Sequence, residues 1–90
     1  MSSFKILNTN FVESEINDEI VVLNIQTGEY IGLNNVAKDI WNYCKNNEDI
    51  QHIVNLIKLE YNISEEKALN DVMDFLHSLH DEQLIELCLP

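Results

Sequence analysis

The sequence contains no arginine. Its 90 residues hold five Lys against 16 Asp and Glu, a formal net charge of -11 at pH 7. Arginine supplies the bidentate fork that reads phosphates and bases, and nucleic-acid binding also needs positive potential. Neither is present, so no binding to nucleic acid or to an anionic membrane surface is expected. With only two Gly and one Pro, collagenous and low-complexity classes drop out. No apolar stretch approaches the roughly 20 residues that span a bilayer. The start, Met1-Ser2-Ser3-Phe4-Lys5, lacks a basic region followed by an apolar run. No signal peptide is therefore expected, and the expected location is cytoplasmic. Cys44 and Cys88 have no CxxC partner, which removes zinc and redox motifs and leaves two reduced packing thiols.

What remains is a short, acidic, ordinarily apolar chain. At 10.5 kDa it has room for one core, so residues 1–90 read as a single domain. The acidity is uneven: residues 1–45 carry six acids and three Lys, and residues 46–90 carry ten acids and two Lys. Such a field suits a basic partner, and it also serves solubility. Composition leaves both readings open.

The first third alternates as a sheet does. Residues 11–16 form a weak strand, and Asn17-Asp18 reads as a turn. Residues 20–25, Ile-Val-Val-Leu-Asn-Ile, give the strongest strand signal, apolar on both faces. Gln26-Thr27-Gly28 reads as a tight turn with Gly28 at positive φ, and residues 29–33 as a third strand. From Asn34 the period becomes helical. Val36, Ala37, Ile40, Trp41 and Cys44 share one face, with Asn34 or Asn35 as N-cap. Asn46-Asn47 ends that helix and is expected to cap the next, on which Ile50, Ile53, Val54 and Ile57 share a face. Ser64 caps a third helix whose stripe is Ala68, Leu69, Val72, Phe75, Leu76 and Leu79, and residues 84–89 read as a final turn or strand. Three strands followed by three helices make an α+β fold.

Catalytic signals are poor. His77 and His80 lie three apart on one helix, a spacing that could offer two metal ligands. They sit on the polar side of the stripe without a third ligand, and read as a solvated face. His52 reads the same way. No nucleophile elbow, P-loop, zincin or dinucleotide motif occurs. No enzyme, cofactor or metal is expected. The third strand is the more informative feature. In a meander it is an edge, and Tyr30-Ile31-Gly32-Leu33 carries none of the charges or prolines that natural edges use against pairing. Gly32 would let another backbone approach. A peptide could add there as a further strand, unless a helix or the tail covers that edge.

The run Gly28-Glu29-Tyr30-Ile31-Gly32-Leu33-Asn34, followed by Val36-Ala37 and Ile40-Trp41, resembles the G-x-Y-x-x-L-N…IW signature of the PqqD-like family, the RiPP recognition elements. Ile53-Val54, Leu59, Tyr61, Glu65 to Ala68, Val72, Phe75-Leu76, Leu79 and Leu84-Ile85 extend the resemblance over roughly residues 11–87. It implies a winged helix-turn-helix-like fold and non-catalytic binding of a precursor's leader peptide between the third strand and third helix. Proteins of pyrroloquinoline-quinone biosynthesis carry a PEG-type turn where this chain has Gln26-Thr27-Gly28. The short T-G-x-Y…LN…IW pattern looks more like the leader-binding proteins of lasso-peptide clusters, which hand the precursor to a separate leader peptidase and cyclase. A chaperone for a radical-SAM or other modifying enzyme, or an unrelated acidic winged-helix interaction module, are the alternatives. The expected binding residues are Tyr30, Ile31, Gly32 and Leu33 by their backbone, and the third-helix flank of Asp71, Asp74, Phe75 and Ser78. Phe75 is the expected apolar anchor, and Asp71 and Asp74 the expected attraction for basic leader residues.

Overall fold

The computed structural model describes residues 2–33 and 35–89. Strand β1 is Ser3–Ile6, β2 Phe11–Ile16, β3 Glu19–Asn24 and β4 Tyr30–Leu33; helices α1 Asn35–Lys45, α2 Ile50–Tyr61 and α3 Glu65–Asp81 follow, and β5 is Ile85–Cys88. The meander β2-β3-β4 is a three-stranded antiparallel sheet, followed by three helices as expected. Asn17 and Asp18 turn β2 into β3 with φ of 51° and 67°. Two consecutive positive φ values mark the type I′ turn, whose twist matches that of the strands it joins. Gly28, at φ 76°, occupies the left-handed region at no steric cost.

One pair of strands has no counterpart in the sequence reading. β1 pairs antiparallel with β5, from Ser3 opposite Cys88 to Ile6 opposite Ile85. The tail was expected as a turn or strand, but its partner at the other end of the chain was not seen. A four-residue alternation is too short to stand out from local pattern alone.

The helices begin where short polar side chains satisfy free amides. Ser64 Oγ accepts from the Lys67 amide at 3.1 Å. Asp49, not Asn46-Asn47, caps α2: its carboxylate accepts from the His52 amide at 2.7 Å. The carboxylate is also favoured there by the positive end of the helix dipole. Asn34 lies outside the described residues, and Asn35 is the first helical residue rather than a cap. Asn47 and Asn62 take φ of 62° and 52°, so the asparagines end helices where glycine is not used. Leu69, placed on the buried stripe of α3, is 43% exposed; Ala68, Val72, Leu76 and Leu79 fill the core.

The core is a single apolar cluster with Trp41 fully buried in it. Its ring meets Phe11 of β2 edge-on, centroids 5.2 Å apart and planes at 69°. Leu33 is buried in the same cluster. The indole nitrogen lies 3.4 Å from the Glu13 carboxylate, which Lys45 neutralises at 2.7 Å. Cys44 packs in the same cluster, and burial pushes its thiol up to about 12. The Tyr43 hydroxyl donates to Glu60 at 2.7 Å and that of Tyr61 to Asp39 at 2.5 Å, cross-linking α1 and α2. Those carboxylates stabilise the neutral phenols and raise both to about 12. Among the described residues no helix is long and apolar enough to cross a membrane.

Asn24 is the buried polar residue in this core, 2% exposed. Its amide nitrogen donates to the Glu82 carbonyl at 2.8 Å, and its oxygen accepts from the amides of Gln26 at 2.9 Å and Thr27 at 3.2 Å. Asn10 does the same for Gln83, donating to its carbonyl at 2.8 Å. α3 ends in a Schellman motif: the Leu84 amide donates to Leu79 and that of Gln83 to His80, both at 2.9 Å. Gln83 holds the left-handed position at φ 60°, and Leu79 and Leu84 are both buried behind it. The two asparagines thus take up carbonyls that the helix end leaves free.

Three outcomes follow. Trp41→Ala should lose roughly 3–5 kcal/mol in urea unfolding, by removing a buried indole and leaving a cavity. A variant that stays fully stable would place the indole outside the core. Asn24→Leu keeps the volume but orphans one carbonyl and two amides, and should cost about 2–4 kcal/mol; a loss of under about 1 kcal/mol would mean water replaces the amide. The third concerns alkali. Tyr43 and Tyr61 rise from an ordinary 10.0, and Cys44 from 9.0, to about 12. The folded state therefore holds protons that the unfolded state releases first. This stabilisation is whole below about pH 9 and falls away as pH climbs to about 12. The urea midpoint should drop across that window, and Tyr43→Phe with Tyr61→Phe should flatten the drop.

Candidate functional site

β4 is an edge. The sheet order is β2-β3-β4, and its partner is β3, with Ile20 opposite Leu33, Val21 opposite Gly32, Val22 opposite Ile31 and Leu23 opposite Tyr30. Neither a helix nor the C-terminal tail pairs with its other side; the tail pairs with β1 instead. Alternation divides its side chains. Ile31 and Leu33 face the helices, while Tyr30 and Gly32 face outward, Tyr30 being 71% exposed. Leu33 is 2% exposed, so only its backbone is open to a partner. A Cβ built on Gly32 would run into the Glu19 carboxylate of the neighbouring strand. That is the far end of a flexible side chain, so the position can tolerate a small residue once the carboxylate moves. Among the described strands, β4 alone carries no charged side chain.

A cleft of about 260 Å³ lies between β4 and the C-terminal half of α3, lined by Ile31, Phe75, Ser78, Leu79, Asp81 and Glu82. Its apolar lining residues are Ile31, Phe75 and Leu79, and its polar ones are Ser78, Asp81 and Glu82. Of the expected helix flank, Phe75 and Ser78 stand in this cleft. Asp74 is exposed one turn before Ser78, whose hydroxyl donates to its carbonyl at 3.1 Å. Asp71 does not join them. It pairs with Lys67 at 3.3 Å on the N-terminal half of the helix, beside Ser64, Glu66 and Asn70. By its spacing Asp71 shares the helix face of Phe75 and Ser78, but it is not among the residues lining the cleft, and its carboxylate is turned to Lys67 one turn earlier.

Leu79, Asp81 and Glu82 were missed as cleft residues. The signal was present: steps of three and four from Phe75 lead to Ser78 or Leu79, then to Asp81 or Glu82. Asn24 was missed too, because within an apolar strand it reads as an ordinary interior position. Through Glu82 its side chain ties the end of α3 to the turn that starts β4, where the Asn24 backbone N–H donates to the Glu29 carbonyl at 2.9 Å. The cleft's width is held there.

Three larger hollows lie elsewhere: those of about 350 and 420 Å³ flank β1 and β5, and one of about 370 Å³ lies at the N-terminal half of α3. None is lined by a residue of β4. Among the described residues no group of three or more His, Cys, Asp or Glu could hold a metal ion. His77 and His80 are exposed on α3, as is His52 on α2.

The fold has known counterparts. The family of the Coenzyme PQQ synthesis protein D (PqqD) matches residues 19–85, which include β3, β4, all three helices and the start of β5. Among solved structures, TbiB1 in complex with the TbiA(beta) leader peptide is similar to this chain at 35% sequence identity and a TM-score of 0.83. The likeness covers 91% of this chain and 94% of that one. Among curated proteins none matches. The chain belongs to the PqqD family.

Proposed function

We propose that this protein is a non-catalytic binder of the leader segment of a ribosomally made precursor peptide. The observation that carries the reading is the likeness to TbiB1 over nearly the whole length of both chains, in a structure that holds a leader peptide. The local geometry agrees with it. An uncharged edge strand lies beside an apolar cleft, the arrangement that strand addition uses. The leader adds along β4 through the backbone of Tyr30, Ile31, Gly32 and Leu33, and an apolar side chain enters between Ile31, Phe75 and Leu79. Ser78 and Asp74 border the added strand. Affinity comes from the ladder and specificity from the helix wall.

The protein itself performs no turnover. Cys44 is buried with its thiol pushed up to about 12, the reverse of what a nucleophile needs. Its role is to raise the local concentration of precursor at a partner enzyme. A separate leader peptidase and cyclase of lasso-peptide maturation are the partners this chain's TbiB1-like form favours, met in the cytoplasm where the precursor is made. The four-strand sheet that results buries the one edge left without protection.

The test is amide exchange with and without the leader of a short precursor encoded beside this protein. Amides of residues 30–33 should gain protection and those of α3 should respond. The precursor's mass should be unchanged after incubation with the protein alone. If the β4 amides are unaffected while α2 responds, the leader lies elsewhere. Cleavage that persists through repurification and is lost in His77→Ala or His80→Ala would make the protein an enzyme.

A further inference from the structure

The cleft beside β4 carries negative charge without a lysine to balance it. Lys38, Lys45, Lys58 and Lys67 lie 3.4, 2.7, 4.0 and 3.3 Å from Glu15, Glu13, Glu65 and Asp71. Lys5 stands opposite Glu86 in the β1–β5 pair. None of the five lines the cleft, whose lining includes Asp81 and Glu82. Both carboxylates sit at the C-terminus of α3, where the helix dipole adds to their potential. The imidazole of His80, 3.9 Å from Asp81, is the nearest group that could offset it.

The charge has a direction along the strand. Asn24 joins the Glu82 carbonyl on one side and the Glu29 carbonyl on the other. The backbone of Glu82, and with it the end of α3 that bears Asp81 and Glu82, therefore lies toward Glu29 at the start of β4, while Ile31 is the β4 residue that lines the cleft. Same-face side chains of an extended segment recur every second residue, about 6.6–6.8 Å apart. A side chain facing Ile31 thus has its next same-face neighbour at the acidic end.

We propose that the segment taken up along β4 pairs an apolar side chain in the cleft with a Lys or Arg two residues away, held by Asp81 and Glu82. This rests on the leader-binding reading above. The motif is apolar-x-cation or cation-x-apolar, according to the direction in which the segment runs. The apolar residue is enclosed by Ile31, Phe75 and Leu79, while the cation stays at the solvated rim and acts chiefly through steering and choice of register.

Fluorescein-labelled Thr-Ser peptides with one central Leu, and Arg, Gln or Glu two residues before or after it, test the motif by anisotropy. In one placement Arg should bind about tenfold more tightly than Glu. That preference should shrink to about threefold or less at about 500 mM salt. It should shrink equally in the double variant Asp81→Asn, Glu82→Gln, which leaves the Glu82 carbonyl and its bond from Asn24 intact. Equal binding of the Arg and Glu peptides, or a preference that survives the double variant, overturns the proposal. Amide exchange separates the two failures. Protection of residues 30–33 by all peptides alike leaves leader binding standing and removes the charge motif. No protection by any of them removes both.

Discussion

The fold depends on how the end of α3 is held against the turn that begins β4, and one buried amide does this. Asn24 satisfies three backbone groups: the Glu82 carbonyl and the amides of Gln26 and Thr27. A buried amide with free valences would be costly, and one that is fully used fixes its neighbours. Here the neighbours are a helix terminus and a hairpin turn, elements that otherwise fray. The bond sets the separation of the strand edge from the helix wall, so the width of the cleft is a property of the core. Asn10 repeats the device one residue on, at Gln83, and lets the chain turn from α3 into β5.

Charge is sorted by the same packing. Glu13 and Glu15 alternate on the helix-facing side of β2, and α1 supplies Lys45 and Lys38 to them. Exposed pairs of this kind add little stability. Their effect is on the field: Lys38 and Lys45 are held on the β2 side of the sheet, and no lysine lines the cleft beside β4. A net charge of -11 is in that sense not diffuse acidity. The charged residues lining that cleft are Asp81 and Glu82.

The sequence made the meander and the helices legible because each rests on local signals. β-branched alternation, Asn17-Asp18 and Gly28 define the strands, and Ser64 and the helical apolar stripes define the helices. The edge character of β4 was legible for the same reason. What escaped rests on distant partners. β1 is defined by β5 at the opposite end of the chain, and Asn24 acquires its role from Glu82, 58 positions away. The end of α3 was blurred because Gln83, not glycine, takes the left-handed residue of its Schellman motif. The helical period puts Asp71, Phe75 and Ser78 on one face; it does not show that the cleft takes in only the last two or that Lys67 engages the Asp71 carboxylate.

Four strand edges of the two sheets are open to pairing, and physical differences single out β4. The outer edge of β2 belongs to a strand with two glutamates, both drawn onto α1 lysines. A strand added there would meet charged side chains held in place, the arrangement natural sheets use to block pairing. β1 and β5 form a two-stranded ribbon, with Lys5 and Glu86 paired across it. A ribbon so short is itself marginal and offers little template for a further strand. β4 has a strong neighbour in β3, no charge of its own and, across a cleft lined by Ile31, the C-terminal half of α3. Natural sheets usually guard such an edge with charge, proline or a bulge, and β4 has none of these. The protein leaves one edge undefended and spends its buried asparagine on keeping a cleft beside it.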